Sequence, residues 1–138
     1  MGEDKFEFDL ESIDLGNITV SGSGNIAIGN TALQNNTASN NIAVGYQAGY
    51  TQTTGNGANT FIGNQAGYSN STGTGNTYIG LQAGYYATGS NNCFIGPCQT
   101  TNGAGFNMTT GSNNTILGGF NGNAGGLDIR TASNYIVL

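Results

Sequence analysis

The chain has 138 residues, enough for one domain, but only 7% of them are charged where about 25% is usual, and it carries 25 Gly, no His and no Trp at a net charge of -5. Residues 15 to 127 form a run of 113 without one formal charge, so groups for general acid-base catalysis and Lys/Arg clusters for phosphate recognition are both missing. No apolar stretch approaches 18 residues, and these features together argue against an enzyme, a cofactor, a nucleic-acid partner and a membrane span.

The N-terminal segment, residues 1–20, holds most of the charge. Phe6, Phe8 and Leu10 alternate with Glu7, Asp9 and Glu11, which predicts a strand with one apolar and one acidic face. It reads either as a cap whose carboxylates prevent end-to-end stacking, or as a docking strand that joins another protein by strand addition.

Residues 21–138 are a repeat array. Units that open on Asn, x, apolar, aliphatic, Gly start at Asn25, Asn41, Asn59, Asn76, Asn92 and Asn114, with a truncated copy at Asn134, in steps of 16, 18, 17, 16, 22 and 20 residues. Register is kept while loops vary, as in a solenoid. The fourth position reads Ile28, Val44, Ile62, Ile79, Ile95, Leu117 and Val137. The fifth reads Gly29, Gly45, Gly63, Gly80, Gly96 and Gly118, which predicts a corner of positive φ or close backbone approach. Gln47 to Tyr50, Gln65 to Tyr68 and Gln82 to Tyr85 repeat Gln-Ala-Gly-Tyr and are expected to form a second short strand, followed by Gly/Asn-rich turns. The fold expected is all-β, a parallel β-solenoid with about 16–22 residues per coil.

The third position, Ala27, Ala43, Phe61, Tyr78, Phe94, Ile116 and Ile136, is also apolar and points opposite to the fourth. A thin solenoid hides only one of these faces, and a strand apolar on both sides is normally buried on both. The fourth column is therefore expected to be the solenoid core, and the third an outward seam between copies of the chain. The opposite arrangement, with the aromatic residues filling the solenoid, leaves the same two faces to bury.

The units Gly24 to Leu33, Asn41 to Tyr50 and Asn59 to Tyr68 resemble the β-roll repeats of bacteriophage tail fibres, and are more distantly similar to head repeats of bacterial trimeric autotransporter adhesins. The stretch Gly118 to Asn134 is similar to the end of such arrays in phage fibres. The resemblance implies left-handed β-rolls, three chains about a threefold axis, and a virion structural protein of a tail fibre or appendage that takes part in host attachment. Phe6, Phe8 and Leu10 would then dock on another virion protein. A capsid decoration protein is the alternative within viruses, favoured if the chain is complete, since about seven coils at ~4.8 Å form only a short stud. An adhesin head is the alternative of another class. An ice-binding face is disfavoured because Ile26, Ile42 and Cys93 interrupt the column of Thr60 and Thr77.

Remaining features have structural readings beside functional ones. Cys93 and Cys98 read as free thiols, with a disulfide as the alternative, and a zinc site lacks further ligands. Tyr46, Tyr50, Tyr68 and Tyr85 are candidate contacts for a host-surface glycan, although Tyr50, Tyr68 and Tyr85 in register also suit a ladder along one edge. A glycosidase wants two carboxylates at a defined separation, and only Asp128 lies near the array.

Overall fold

The computed structural model describes residues 21–53, 57–97 and 103–138. The N-terminal strand expected at Phe6, Phe8 and Leu10 lies outside these residues, as does Cys98.

Each repeat contributes one three-residue strand: β1 (Ile26–Ile28), β2 (Ile42–Val44), β3 (Thr60–Ile62), β4 (Thr77–Ile79), β5 (Cys93–Ile95) and β6 (Thr115–Leu117). A short hairpin follows, β7 (Asn123–Ala124) with β8 (Leu127–Asp128), and then β9 (Ile136–Val137). Apart from the hairpin, all strands join one parallel sheet in the order β1-β2-β3-β4-β5-β6-β9, giving a β-solenoid of about six turns. Parallel in-register stacking places identical positions of successive repeats above one another, Phe61 against Tyr78 and Tyr78 against Phe94.

The truncated last copy sits one residue out from the expected frame. Thr115 pairs with Ile136 and Ile116 with Val137. Tyr135 thus occupies the place that Asn holds in the other coils, and its N–H donates to the Asn114 Oδ1 at 2.9 Å. The hairpin insertion changes the loop length, and hydrogen-bond register outranks the match of Asn134 to the motif.

The interior is lined by the third column, a reversal of the expected inside and outside. Ala43, Phe61, Tyr78, Phe94 and Ile116 are fully buried within a single chain, and Ala27 and Val137 pack against them. Ile28, Ile62, Ile95 and Leu117 of the fourth column are instead exposed to solvent, and Ile136, assigned to the third, is 75% exposed. Ala27, Ala43, Phe61, Tyr78, Phe94 and Ile116 are therefore core positions of the solenoid, not an outward seam. The reason is room. An ideal Cβ at Gly84 would lie 2.6 Å from the Tyr78 ring, and one at Gly67 would lie 2.5 Å from Phe61. Glycine across the coil makes space for an inward aromatic ring, and the first coil makes the reverse exchange, with small Ala27 inside and Leu33 buried where later coils carry Gly.

The Gln-Ala-Gly-Tyr segments are consecutive tight turns rather than a second strand. Ala48 N–H donates to Gly45 C=O at 3.3 Å and Gln52 N–H to Gly49 C=O at 3.2 Å, and the same pair of turns recurs from Gly63 and from Gly67. Gln47, Gln65 and Gln82 take φ of 53°, 55° and 54°, outside the extended region of a strand. The turns send Ala32, Ala48, Ala66, Ala83 and Ala104 inward, opposite the aromatic column. At the corner after the strand the expected close approach is present: Gly63 has φ 135° and its backbone lies against that of Gly80.

Asparagine supplies the second structural element. Asn41, Asn59, Asn76, Asn92 and Asn114 are at most 1% exposed. The Oδ1 of the first four accepts the backbone N–H of the equivalent Asn one coil on: Asn41 from Asn59 at 3.1 Å, Asn59 from Asn76 at 2.9 Å, Asn76 from Asn92 at 2.8 Å, Asn92 from Asn114 at 2.9 Å. The Nδ2 groups of Asn76, Asn92 and Asn114 donate to the carbonyls of Gly89, Gly111 and Ala132. The amide fits because it carries donors and an acceptor on one neutral group, so backbone polar groups are satisfied inside without a buried charge.

Candidate interaction surface

Strand alternation turns the second and fourth positions to the same outer side of the sheet. The second column runs Ile26, Ile42, Thr60, Thr77, Cys93 and Thr115, and the fourth runs Ile28, Val44, Ile62, Ile79, Ile95 and Leu117. Ile26 is 50% exposed, Ile28 42%, Ile62 38% and Leu117 44%. Beyond the glycine corner, Tyr46 and Leu81 extend the apolar surface. The result is a ladder of aliphatic and threonine side chains along six strands with no charged residue in it. Cys93 lies in this face, level with Thr77 and Thr115. The functional signal in the sequence was the pair of apolar columns, and the exchange of Ala27 and Leu33 for Phe61 and Gly67 is the clue that tells inside from outside.

The candidate glycan residues divide. Tyr50 and Tyr68 stack at 5.2 Å and 3°, Tyr68 and Tyr85 at 4.9 Å and 6°, and Tyr85 continues onto Phe106 at 5.1 Å. Their ring faces are occupied by one another, which is the ladder arrangement and leaves edges and hydroxyls for any ligand. Tyr46 stands apart from that ladder and is 47% exposed. Beside the ladder, Gln65 Nε2 donates to Gln47 Oε1 and Gln82 Nε2 to Gln65 Oε1, both at 3.0 Å.

A line of hydroxyls follows on the same flank. Thr53 donates to the Ser71 carbonyl, Thr88 to that of Thr109 and Thr109 to that of Arg130, and Thr37 bonds the Thr53 carbonyl in the same way. Asp128 and Arg130, at the end of the array, form the one ion pair among the described residues. Within those residues no three metal-ligating side chains come together, and no helix is long and apolar enough to cross a membrane.

Among the described residues, Tyr78 is the one buried titratable group. Burial pushes its phenol well above the ordinary value, only partly offset by the Asn92 side chain, whose amide falls outside hydrogen-bond geometry with the hydroxyl. The Tyr78 ring lies between those of Phe61 and Phe94, at centroid distances of 5.5 and 4.9 Å.

No protein-family model, no curated protein and no solved structure matches the chain.

Proposed function

We propose that the chain is a non-enzymatic virion structural protein of a tailed bacteriophage, a homotrimeric β-solenoid in a tail fibre or appendage that contributes to host-surface attachment. The observation that carries this reading is the outward ladder from Ile26 and Ile28 to Leu117, apolar and uncharged along its length. Water-exposed aliphatic columns of this extent mark an interaction surface. A second copy of the chain is the partner proposed. It presents an identical flat ladder of the same repeat spacing, and neither copy brings a charge whose desolvation would oppose contact.

The seam is thus proposed at the second and fourth columns, with Ile62, Ile79 and Ile95 at its centre. The tightly hydrogen-bonded interior suits a rigid, protease-resistant spacer, and the repeat resemblance supplies the virion context. The test is imaging of tailed particles that carry the chain, labelled with an antibody raised against it. Label on tail appendages is expected. Label on the capsid shell would favour a decoration protein, and unlabelled particles would overturn both.

A further inference from the structure

Among the described residues, the last coil carries an insertion that the other coils lack. The β7–β8 hairpin is inserted between Gly122 and Ile129, and the Ile129 N–H closes its base onto the Gly122 carbonyl at 2.9 Å. Ile129 continues the core, but all four hairpin strand residues are exposed, so the insertion adds nothing to the packed interior. On its flank lies a half-open surface groove lined by Thr109, Asp128, Arg130 and Thr131.

Both charged side chains among the described residues, Asp128 and Arg130, line this groove. Asp128 Oδ2 accepts from Arg130 Nη2 at 2.8 Å, and Oδ1 accepts from Nε at 3.0 Å and from the Arg130 backbone N–H at 3.1 Å. The side chains are 50% and 48% exposed, and an exposed pair of this kind contributes little to stability. The fork leaves guanidinium N–H groups free to donate, the carboxylate keeps unused lone pairs, and the Thr109 hydroxyl, which donates to the Arg130 carbonyl at 3.1 Å, can still accept. Charged ligands are ill-suited, because Asp128 opposes an anion while Arg130 opposes a cation. A neutral vicinal diol matches both halves: one hydroxyl accepts from the guanidinium and the other donates to the carboxylate.

We propose that the surface groove of Thr109, Asp128, Arg130 and Thr131 is a saccharide site for a neutral hexose. This deepens the host-attachment reading and rests on it for its biological meaning. The test is a titration of the full-length, isotopically labelled chain with the methyl glycosides of glucose, galactose and mannose, followed by NMR. Glucuronate, inorganic phosphate and glycerol serve as comparison probes.

Saturable shifts at the Arg130 side chain and at Thr109 and Thr131 are expected with at least one hexose, with a dissociation constant on the order of 1 mM. Arg130→Gln and Asp128→Asn should each weaken it about tenfold, the effect of one charge-assisted hydrogen bond, with unchanged melting temperature. Silence with all three hexoses, equal shifts with glycerol, or tighter binding of phosphate or glucuronate would each overturn the proposal. Light scattering on the same samples separates the two readings. A trimer without hexose shifts removes the saccharide site and leaves the assembly, and hexose shifts on a monomer do the reverse.

Discussion

The Oδ1 of Asn76 accepts the backbone N–H of Asn92 at 2.8 Å while its Nδ2 donates to the Gly89 carbonyl at 2.8 Å, so one buried side chain ties two coils and a loop together. Asn76→Ala leaves that N–H and that carbonyl buried without partners. At ~1–3 kcal/mol for each unsatisfied group, the variant should lose about 2–6 kcal/mol in denaturant unfolding. A loss below ~1 kcal/mol would mean that the ladder is not what joins the coils.

Tyr78→Phe should behave in the opposite way. The Tyr78 hydroxyl is buried with no hydrogen-bond partner, and Phe occupies the register positions on both sides. The variant is expected to be as stable as the parent or more stable by up to ~2 kcal/mol. The pH dependence provides a second readout. Burial raises the folded-state pKa of Tyr78 above its ordinary 10.0, so below about pH 10 the tyrosine contribution is constant. As pH climbs further the unfolded chain ionises first, and stability falls by up to ~1.4 kcal/mol per pH unit. Alkaline unfolding of Tyr78→Phe should therefore begin at higher pH than in the parent. A weaker decline should persist, since burial and the neighbouring Tyr68 and Tyr86 also raise Tyr85.

Gly84→Ala tests the exchange of glycine for ring volume. The new methyl would stand 2.6 Å from the Tyr78 ring, at a residue of φ 60°. Overpacking and left-handed backbone together should cost about 2–4 kcal/mol, read as a lowered melting temperature. An unchanged melting temperature would contradict the inward placement of Tyr78.

Neighbouring positions on β3 should separate folding from assembly. Phe61→Asp puts a charge into the dry interior and should abolish the folded chain, since Phe61 is fully buried. Ile62→Asp points outward at a site 38% exposed and should keep the β-rich circular dichroism and cooperative unfolding of a folded solenoid while losing self-association. Loss of folded signal in both variants would place Ile62 in the core instead.

Much of the coil was legible from the repeat. The strand centres and the Gly63 corner followed from position alone, because a stacked coil repeats its constraints each turn. Inside and outside were not legible from hydrophobicity, since Phe61 and Ile62 are both apolar and period two fixes only that they oppose each other. The decision lay in a distant partner: Gly67 makes room for Phe61 and Leu33 fills the space that Ala27 leaves. Gln-Ala-Gly-Tyr looked like a strand because strict repetition imitates sheet register, whereas the left-handed backbone at Gln65 makes it a turn. The buried role of Asn76 was hidden by the abundance of Asn throughout the loops, which gives no composition contrast between an amide inside and one outside. At the candidate surface, two apolar columns announced that one face of the sheet would be left bare, and the exposed columns are those of Ile26 and Ile28 rather than that of Phe61.

The central claim is that the outward ladder of Ile28, Ile62, Ile79 and Leu117 is a seam between copies of the chain, and static light scattering during size exclusion tests it most directly. The account predicts a mass of about three times 14.0 kDa, independent of concentration in the micromolar range, for the unmodified chain. A folded species of 14.0 kDa at every concentration would contradict it.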